Sequence, residues 1–272
     1  MNSVETKEQP SGVVAFNHCD LPPWVIASDT FNLEPRPLSI SGTQRSNRDL
    51  FRKLDQEDDS AKRGRIFHEY LNVKFALHQW AEYTGNARSS LRNSYLRFLN
   101  GWQVDSNGIE GAVLKSWVES RFGVLATYHK GILKRVQGEE DNRFARDRMK
   151  GSSRTNAIYS QLDILYEYCQ YEYRRRMPET KTLVLYRGTN DPEEHPLIAT
   201  GEKREKCIRL NNLVSFTSDR EKAWEFGSSV WKATCAISKI VFFSGLLPSS
   251  LLTGEDEYLV IGGDYWVKEL LY

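Results

Sequence analysis

The chain has 272 residues, of which 40% are hydrophobic and 27% charged, so it holds enough apolar material for one large folded domain or two small ones. Its net charge of +1 gives no general attraction to nucleic acid or to a membrane surface, so any charged partner must bind a local patch, and we expect no nucleic-acid partner. The four cysteines are scattered, no apolar run approaches the ~18 residues that span a bilayer, and no apolar signal segment opens the chain, so we expect a cytoplasmic protein.

The first 59 residues are rich in Pro, Asn, Ser and Asp, and the prolines argue against long helices there. The apolar stretch 21–26 is the exception, and we expect Trp24 to dock it onto the rest of the protein. The sequence therefore predicts an extended N-terminal segment over residues 1–59.

Residues 60–178 have apolar side chains at helical spacing, for example Phe67, Leu71 and Phe75, and later Ile158, Leu162, Leu165 and Cys169. The last helix is expected to run into Arg174-Arg175-Arg176, because basic residues complement the dipole at a helix C-terminus. Pro178 then prevents continuation. This pattern predicts a helical region over 60–178.

Residues 179–272 change to short runs rich in β-branched and aromatic residues. These runs predict strands at 182–186, 212–217, 230–237, 240–243, 257–261 and 265–270. Residues 219–227 predict a short helix with Asp219 as its N-cap and Gly227 as its stop. We therefore expect an α+β fold, in which a helical N-terminal half packs on a strand-rich core, the whole forming one integrated domain.

Several common nucleotide and metal motifs are absent from the sequence. There is no G-x-G-x-x-G after a strand and no G-x-x-x-x-G-K-[ST], so a nucleotide would be bound without either device. His68-Glu69 begins like the metalloprotease H-E-x-x-H, but Asn72 occupies the place of the second histidine. The five histidines do not cluster, so we expect no metal.

Three segments of the strand-rich half combine residues that suit a phosphate and a sugar. Arg187-Gly188 ends a predicted strand with a guanidinium that can hold a phosphate and a glycine that lets a ligand approach the backbone. In Ser215-Phe216-Thr217 the two hydroxyls share one face of a strand. In Glu255-Asp256-Glu257 two carboxylates point the same way before a strand. Each segment alone also fits an ordinary strand end, a capping segment or a solvated acidic turn.

Together the three segments resemble the arginine–serine–glutamate ADP-ribosyltransferases. In that family an arginine closes a strand, a Ser-x-Ser/Thr strand leads into a helix with an alanine and an aromatic residue, and a Glu-x-Glu loop enters a strand. The matching residues are Arg187, Ser215-Phe216-Thr217, Ala223, Phe226 and Glu255-Asp256-Glu257. Phe216 and Thr217 depart from the usual Ser-Thr-Ser, which mainly affects the role of Thr217. The resemblance implies an ADP-ribosyltransferase β-sandwich core.

A further resemblance covers most of the chain. The tracts 21–28, 45–51 and 94–102 are similar to the dinitrogenase reductase ADP-ribosyltransferases of nitrogen-fixing bacteria. This resemblance implies transfer of ADP-ribose from NAD to an arginine of the nitrogenase iron protein, which inactivates that protein and regulates nitrogen fixation. It also implies a PII signal protein as a regulatory partner, although no residue indicates where that partner binds.

The resemblance also implies roles on the NAD side of the reaction. Glu257 would stabilise the oxocarbenium-like transition state and bind the 2′-hydroxyl of the nicotinamide ribose. Ser215 would hold that ribose and orient Glu257. Arg187 would bind an NAD phosphate, and the Gly188 backbone would hold the nicotinamide carboxamide. The expected NAD contacts are Arg187, Gly188, Ser215, Thr217 and Phe226.

On the acceptor side, the resemblance gives Glu255 the task of pairing with the acceptor guanidinium and accepting its proton. Three alternatives stay open at this point: another protein's arginine as acceptor, water as acceptor, and a catalytically silent NAD-sensing or protein-binding module. The presence of both glutamates favours transfer to arginine. The basic stretch 143–154 fits either a docking surface for an acidic partner or a solvated helix and loop.

Overall fold

The computed structural model describes residues 12–77, 94–135, 138–153, 157–190, 194–202, 204–252 and 256–270. Within these ranges, the longer helices precede an antiparallel sheet, and one short α-helix and two 3-10 helices lie between strands of that sheet, so the α+β prediction is confirmed. One hydrophobic core extends from Ile26 near the N-terminus to Val267 on the last strand. None of the helices in these ranges is both long and apolar enough to cross a bilayer.

The N-terminal segment contains short helical turns: α1 (Pro23–Ala27), a 3-10 helix (Asp29–Asn32), α2 (Thr43–Ser46) and α3 (Arg48–Asp55). Ile26, which is fully buried, joins the apolar stretch 21–26 to the core, whereas Trp24, the residue expected to dock it, is 44% exposed. Positions three apart share a helix face, so Pro23 and Ile26 turn inward together and Trp24 stays at the surface.

Five longer helices follow within the described ranges: α4 (Ser60–Lys74), α5 (Tyr95–Val104), α6 (Ile109–Phe122), α7 (Glu139–Ser152) and α8 (Ile158–Arg176). Helix α8 is buried on nearly all sides until its last turn, where three arginines are exposed before Pro178. The buried Glu172 of α8 accepts hydrogen bonds from Arg63 of α4 at 2.5 and 2.9 Å. This buried ion pair between Arg63 and Glu172 therefore joins α4 to α8.

The described strands are β1 (Thr182–Thr189), β2 (Leu197–Thr200), β3 (Glu205–Phe216), β4 (Ser229–Ala236), β5 (Ile240–Phe243) and β6 (Tyr258–Leu270). They form one antiparallel sheet in the order β1-β4-β6-β3-β2, with β5 beside the first half of β6. The sequence does not predict β2, whose four residues are all exposed at the sheet edge and show no alternation of apolar and polar side chains.

Strand β6 corrects the prediction of two separate strands at 257–261 and 265–270. Gly262-Gly263 suggests a break between them, but both residues lie within the continuous strand. They face a register shift in β3 between Leu210 and Leu213. A Cβ at Gly262 would collide with the carbonyl oxygen of Asn211, and Gly263 has a φ of +106°. The glycines therefore accommodate a β-bulge in the partner strand.

The end of β3 also contacts β1. Tyr186 and Thr217 exchange two backbone hydrogen bonds, each 2.8 Å long, so the sheet turns back on itself at this point. Helix α9 (Arg220–Ala223) follows immediately, and the Asp219 side chain caps it as predicted. The contact between Tyr186 and Thr217 places Arg187, the next residue of β1, beside Ser215 near the end of β3.

Candidate active site

A cleft of about 600 Å³ opens where the C-terminal end of α5 faces β1, the end of β3 and the start of β6. This volume is typical of small-molecule sites. Most of the predicted site residues line it: Arg187, Gly188, Ser215, Thr217, Phe226 and Glu257. The remaining one, Glu255, lies outside the described residues. The fold thus brings the three sequence motifs around one cavity.

Glu257 is held from two directions. Its carboxylate Oε1 accepts a hydrogen bond of 2.7 Å from the Ser215 hydroxyl on the neighbouring strand. Its backbone exchanges two hydrogen bonds with Ser244, which follows β5: Glu257 N donates to Ser244 Oγ at 2.9 Å, and Ser244 N donates to Glu257 O at 2.8 Å. Both the main chain and the carboxylate of Glu257 are therefore fixed at the cleft wall.

Arg187 crosses from β1 to β3. Its Nη1 donates to the carbonyl oxygen of Ser215 at 2.9 Å, while its buried Nε has no hydrogen-bond partner among the described residues. Burial lowers the pKa of Arg187, with the carboxylate of Glu194 opposing the shift. An arginine remains protonated nonetheless, so the cleft holds a desolvated cation with unused donor capacity.

Gly188 and Phe226 show how the short helix packs on β1. A Cβ at Gly188 would collide with the carbonyl oxygen of Ala223, so only glycine permits this close approach. The sequence reasoning assigns the glycine to ligand access alone, and the structure adds this packing requirement. Phe226 lines the cleft but leaves 62% of its surface exposed. Its ring is therefore available at the rim of the cavity.

Thr217 and Asp256 form a clamp that the sequence does not predict. The Asp256 carboxylate accepts hydrogen bonds from the hydroxyls of Thr217 and Ser218, each 2.6 Å long, and from the backbone N–H groups of Ser218 and Asp219. Burial alone would raise the pKa of Asp256, but these hydrogen bonds outweigh it and hold the pKa below its usual value. The clamp joins the loop before β6 to the start of α9, and Asp256 takes a φ of 51° to make it.

Two further residues at the site come from the helical half. The Trp102 indole N–H, on α5, donates to Ser215 Oγ at 2.8 Å. Lys115 on α6 is 1% exposed, and its Nζ lies 5.9 Å from the centre of the Trp102 ring. Burial lowers the pKa of Lys115 to about 7. The sequence offers one signal for Trp102, namely its place in the tract 94–102, but nothing that pairs it with Ser215.

The described part of the chain contains no group of three or more His, Cys, Asp or Glu side chains placed to hold a metal ion. The polar groups that the three sequence motifs contribute to the cleft are a guanidinium, two hydroxyls and two carboxylates, of Arg187, Ser215, Thr217, Asp256 and Glu257. This set can bind an anion and a sugar, and can stabilise positive charge next to that sugar.

An arginine near the end of β1, a serine near the end of β3 and a glutamate bonded to that serine match the arrangement of the arginine–serine–glutamate ADP-ribosyltransferases. The comparison with known families is more specific. The family model for dinitrogenase reductase ADP-ribosyltransferase matches residues 16–269, and the chain belongs to this family. The predicted family is therefore confirmed.

A curated relative agrees with this assignment. The chain is 41% identical over 269 residues to the NAD(+)–dinitrogen-reductase ADP-D-ribosyltransferase of Rhodospirillum rubrum. The alignment covers 96% of this chain and 97% of that protein, so the similarity extends through the helical half as well as the sheet. No solved structure matches the chain significantly.

Proposed function

We propose that this protein transfers ADP-ribose from NAD to an arginine of the nitrogenase iron protein, which inactivates that protein and so regulates nitrogen fixation. One observation supports the chemistry above all: the Ser215 hydroxyl holds the Glu257 carboxylate at 2.7 Å inside a cleft that also contains Arg187. The family assignment and the name of the relative from Rhodospirillum rubrum support the same reaction.

The first half of the reaction breaks the bond between nicotinamide and ribose. The electron pair of that bond leaves with nicotinamide, and the sugar gains the positive charge of an oxocarbenium ion. Glu257 stabilises this charge and binds the ribose 2′-hydroxyl. Because Ser215 and Ser244 already fix Glu257, little reorganisation is needed as the charge develops. Ser215 also contacts the ribose.

The rest of the cleft holds the other parts of NAD. Arg187 binds a phosphate through the donor capacity that its contact with Ser215 leaves unused. The backbone at Gly188 holds the nicotinamide carboxamide, and Phe226 packs against NAD at the rim. The Thr217 hydroxyl donates a hydrogen bond to Asp256. In this way Thr217 fixes the loop that lies beside the bound NAD.

The second half of the reaction joins an arginine nitrogen to the anomeric carbon and releases a proton. A protonated guanidinium is a poor nucleophile. We assign Glu255 to pair with it, place its nitrogen and accept the proton, because this residue stands two positions before Glu257, at the place that the family resemblance gives to the acceptor-binding glutamate. No metal takes part in this scheme, and NAD is a substrate.

The proposal extends to the cell and to the whole chain. We place the protein in the cytoplasm with its acceptor, and we propose a PII signal protein as its regulatory partner on the strength of the family resemblance. We also propose that the segments 1–59, 60–178 and 179–272 act as one catalytic domain. The continuous core from Ile26 to Val267 supports this integration.

The test is incubation of the purified protein with labelled NAD, with and without purified nitrogenase iron protein. We expect nicotinamide release that depends on the acceptor, together with label on an arginine of that acceptor. Release without labelling would indicate an NAD glycohydrolase, and labelling of other proteins alone would indicate a different target. Absence of nicotinamide release would indicate a silent module.

A pair of variants tests the division of labour between the glutamates. Glu255→Gln is expected to lose transfer but retain slow NAD hydrolysis, because water needs no carboxylate to pair with it. Glu257→Gln is expected to lose both, since both activities pass through the same bond cleavage. If Glu255→Gln transfers normally, or abolishes hydrolysis as completely as Glu257→Gln, the acceptor role of Glu255 is wrong.

A further inference from the structure

We infer that Trp102 is a positioning residue for the transfer reaction, and that it acts through Ser215 on Glu257. The indole N–H of Trp102 donates to Ser215 Oγ at 2.8 Å, and Ser215 Oγ donates to Glu257 Oε1 at 2.7 Å. The three side chains thus form a hydrogen-bonded relay from the helical half of the protein to the sheet. This inference rests on the proposed function of Glu257.

The direction of each hydrogen bond in the relay follows from the chemistry of the groups. An indole N–H can only donate, and an ionised carboxylate can only accept. A serine hydroxyl has a single hydrogen, which it can rotate towards any nearby acceptor. Once Trp102 occupies a lone pair of Ser215, the serine hydrogen is directed to Glu257. Without Trp102 the hydroxyl can turn away and leave the carboxylate unsupported.

Trp102 is itself rigid, as a positioning residue must be. Only 4% of its surface is exposed. The Nζ atom of Lys115 lies 5.9 Å from the centre of its ring. This Nζ donates in turn to Asn107 Oδ1 at 2.9 Å and to the carbonyl oxygen of Tyr128 at 3.0 Å, so Lys115 is held in place against the indole. Helix α5 therefore presents the indole to Ser215 in one orientation.

The contact also gives the helical half a direct part in the site. Ser215 and Glu257 lie on neighbouring segments of the sheet, but among the described residues no side chain of the sheet donates to Ser215 Oγ. The donor comes from Trp102 of α5, 113 positions away in the chain. A hydrogen bond that aligns a catalytic carboxylate acts on turnover more than on NAD affinity, because the alignment matters most when charge develops.

The substitution Trp102→Phe keeps an aromatic ring and removes the donor. We expect kcat for nicotinamide release to fall about tenfold or more, with KM for NAD within threefold of wild type. Trp117→Phe is the matched control, because Trp117 is fully buried on α6 and donates its indole N–H to Asp163 at 2.8 Å, away from the cleft. This control loses one buried indole hydrogen bond and is expected to keep wild-type kcat even if its thermal stability falls.

A double-mutant cycle separates positioning from general packing. If Trp102 acts through Ser215, then Trp102→Phe should change kcat by less than about twofold when Ser215 is already alanine. An equal loss of kcat in both backgrounds would overturn the inference. So would a rise in KM for NAD with unchanged kcat, because that pattern indicates a binding role.

A spectroscopic measurement tests the hydrogen bond without any activity. The chain has seven tryptophans, and Trp102→Phe identifies the indole N–H resonance of Trp102 in a spectrum of the nitrogen-15-labelled protein. Ser215→Ala should move that resonance and leave the one from Trp117 in place. A Trp102 resonance that does not move refutes the relay. If the wild-type protein releases no nicotinamide, the proposed function fails, while this measurement still decides whether Trp102 orients Ser215.

Discussion

Replacing Glu257 by glutamine tests the centre of the proposed mechanism. The amide has nearly the shape of the carboxylate and keeps an oxygen that can accept the 2.7 Å hydrogen bond from Ser215. The backbone contacts with Ser244 do not involve the side chain of Glu257 and should persist. The variant therefore removes charge with little change in geometry. We expect transfer and NAD hydrolysis each to fall by about 100-fold or more, as for loss of one preorganised electrostatic group.

The assay is initial-rate nicotinamide release, with NAD affinity measured separately by calorimetry. Affinity should stay within about threefold of wild type, because the charge of Glu257 acts on the transition state. Glu205→Gln is a matched control: this exposed glutamate begins β3, at the opposite end of the strand from Ser215. Near-normal turnover of Glu257→Gln, or an equal loss in the control, refutes the assignment of Glu257.

Three other predictions address the surroundings of Glu257. Arg187→Ala should weaken NAD binding by about 1.5–3 kcal/mol, the value of a hydrogen bond to a charged group, and Arg187→Lys should restore only part of it; unchanged affinity by calorimetry contradicts the phosphate role. Asp256→Ala should lower kcat about tenfold with little change in KM, because the loop before β6 loses four hydrogen bonds; wild-type turnover rules out the clamp as a positioning device. Burial lowers the pKa of Lys115 from 10.5 to about 7. Between these two pH values the unfolded chain binds more protons than the folded protein, so the free energy of unfolding should rise with pH over this range. Relative to Lys115→Met, the wild type should gain roughly 2 kcal/mol of unfolding free energy from pH 7 to pH 9 in denaturant titrations, and parallel pH profiles would show that Lys115 titrates normally.

Much of the site could be predicted from the sequence, because few other kinds of site would place these residue types in this order along the chain. Arg187, Ser215 and Glu257 each fit an ordinary strand end or turn alone, yet their order and chemistry match one arrangement. The structure places all three on one cleft. The cap at Asp219 was equally predictable, because a side-chain oxygen before a short helix satisfies backbone donors that the helix leaves open.

The features that the sequence did not reveal depend on contacts between distant segments. Trp102 and Ser215 meet only because the fold brings the C-terminal end of α5 beside the end of β3, and no local sequence pattern indicates that contact. The register shift that lets β6 run through Gly262-Gly263 lies in β3, so the glycines alone indicate a break. Thr217 resembles a ligand-binding hydroxyl in the sequence, whereas the clamp to Asp256 appears only once the loop is folded.

The sheet topology explains why Glu257 stands where it does. The residue precedes β6, whose first half lies between β3 and β5, so side chains from both neighbouring strands can reach it. Ser215 on β3 holds the carboxylate, and Ser244 after β5 holds the main chain. The adjacent Asp256 joins the same loop to the start of α9 through hydrogen bonds to Ser218 and Asp219.

A carboxylate with the role proposed for Glu257, stabilising a short-lived cation, gains most from such anchoring, because any rotation of the carboxylate during the reaction would add to the activation barrier. The central strand of the sheet is therefore the position at which one acidic side chain can be fixed from the largest number of sides, and the helical half adds to this through Trp102 and Ser215.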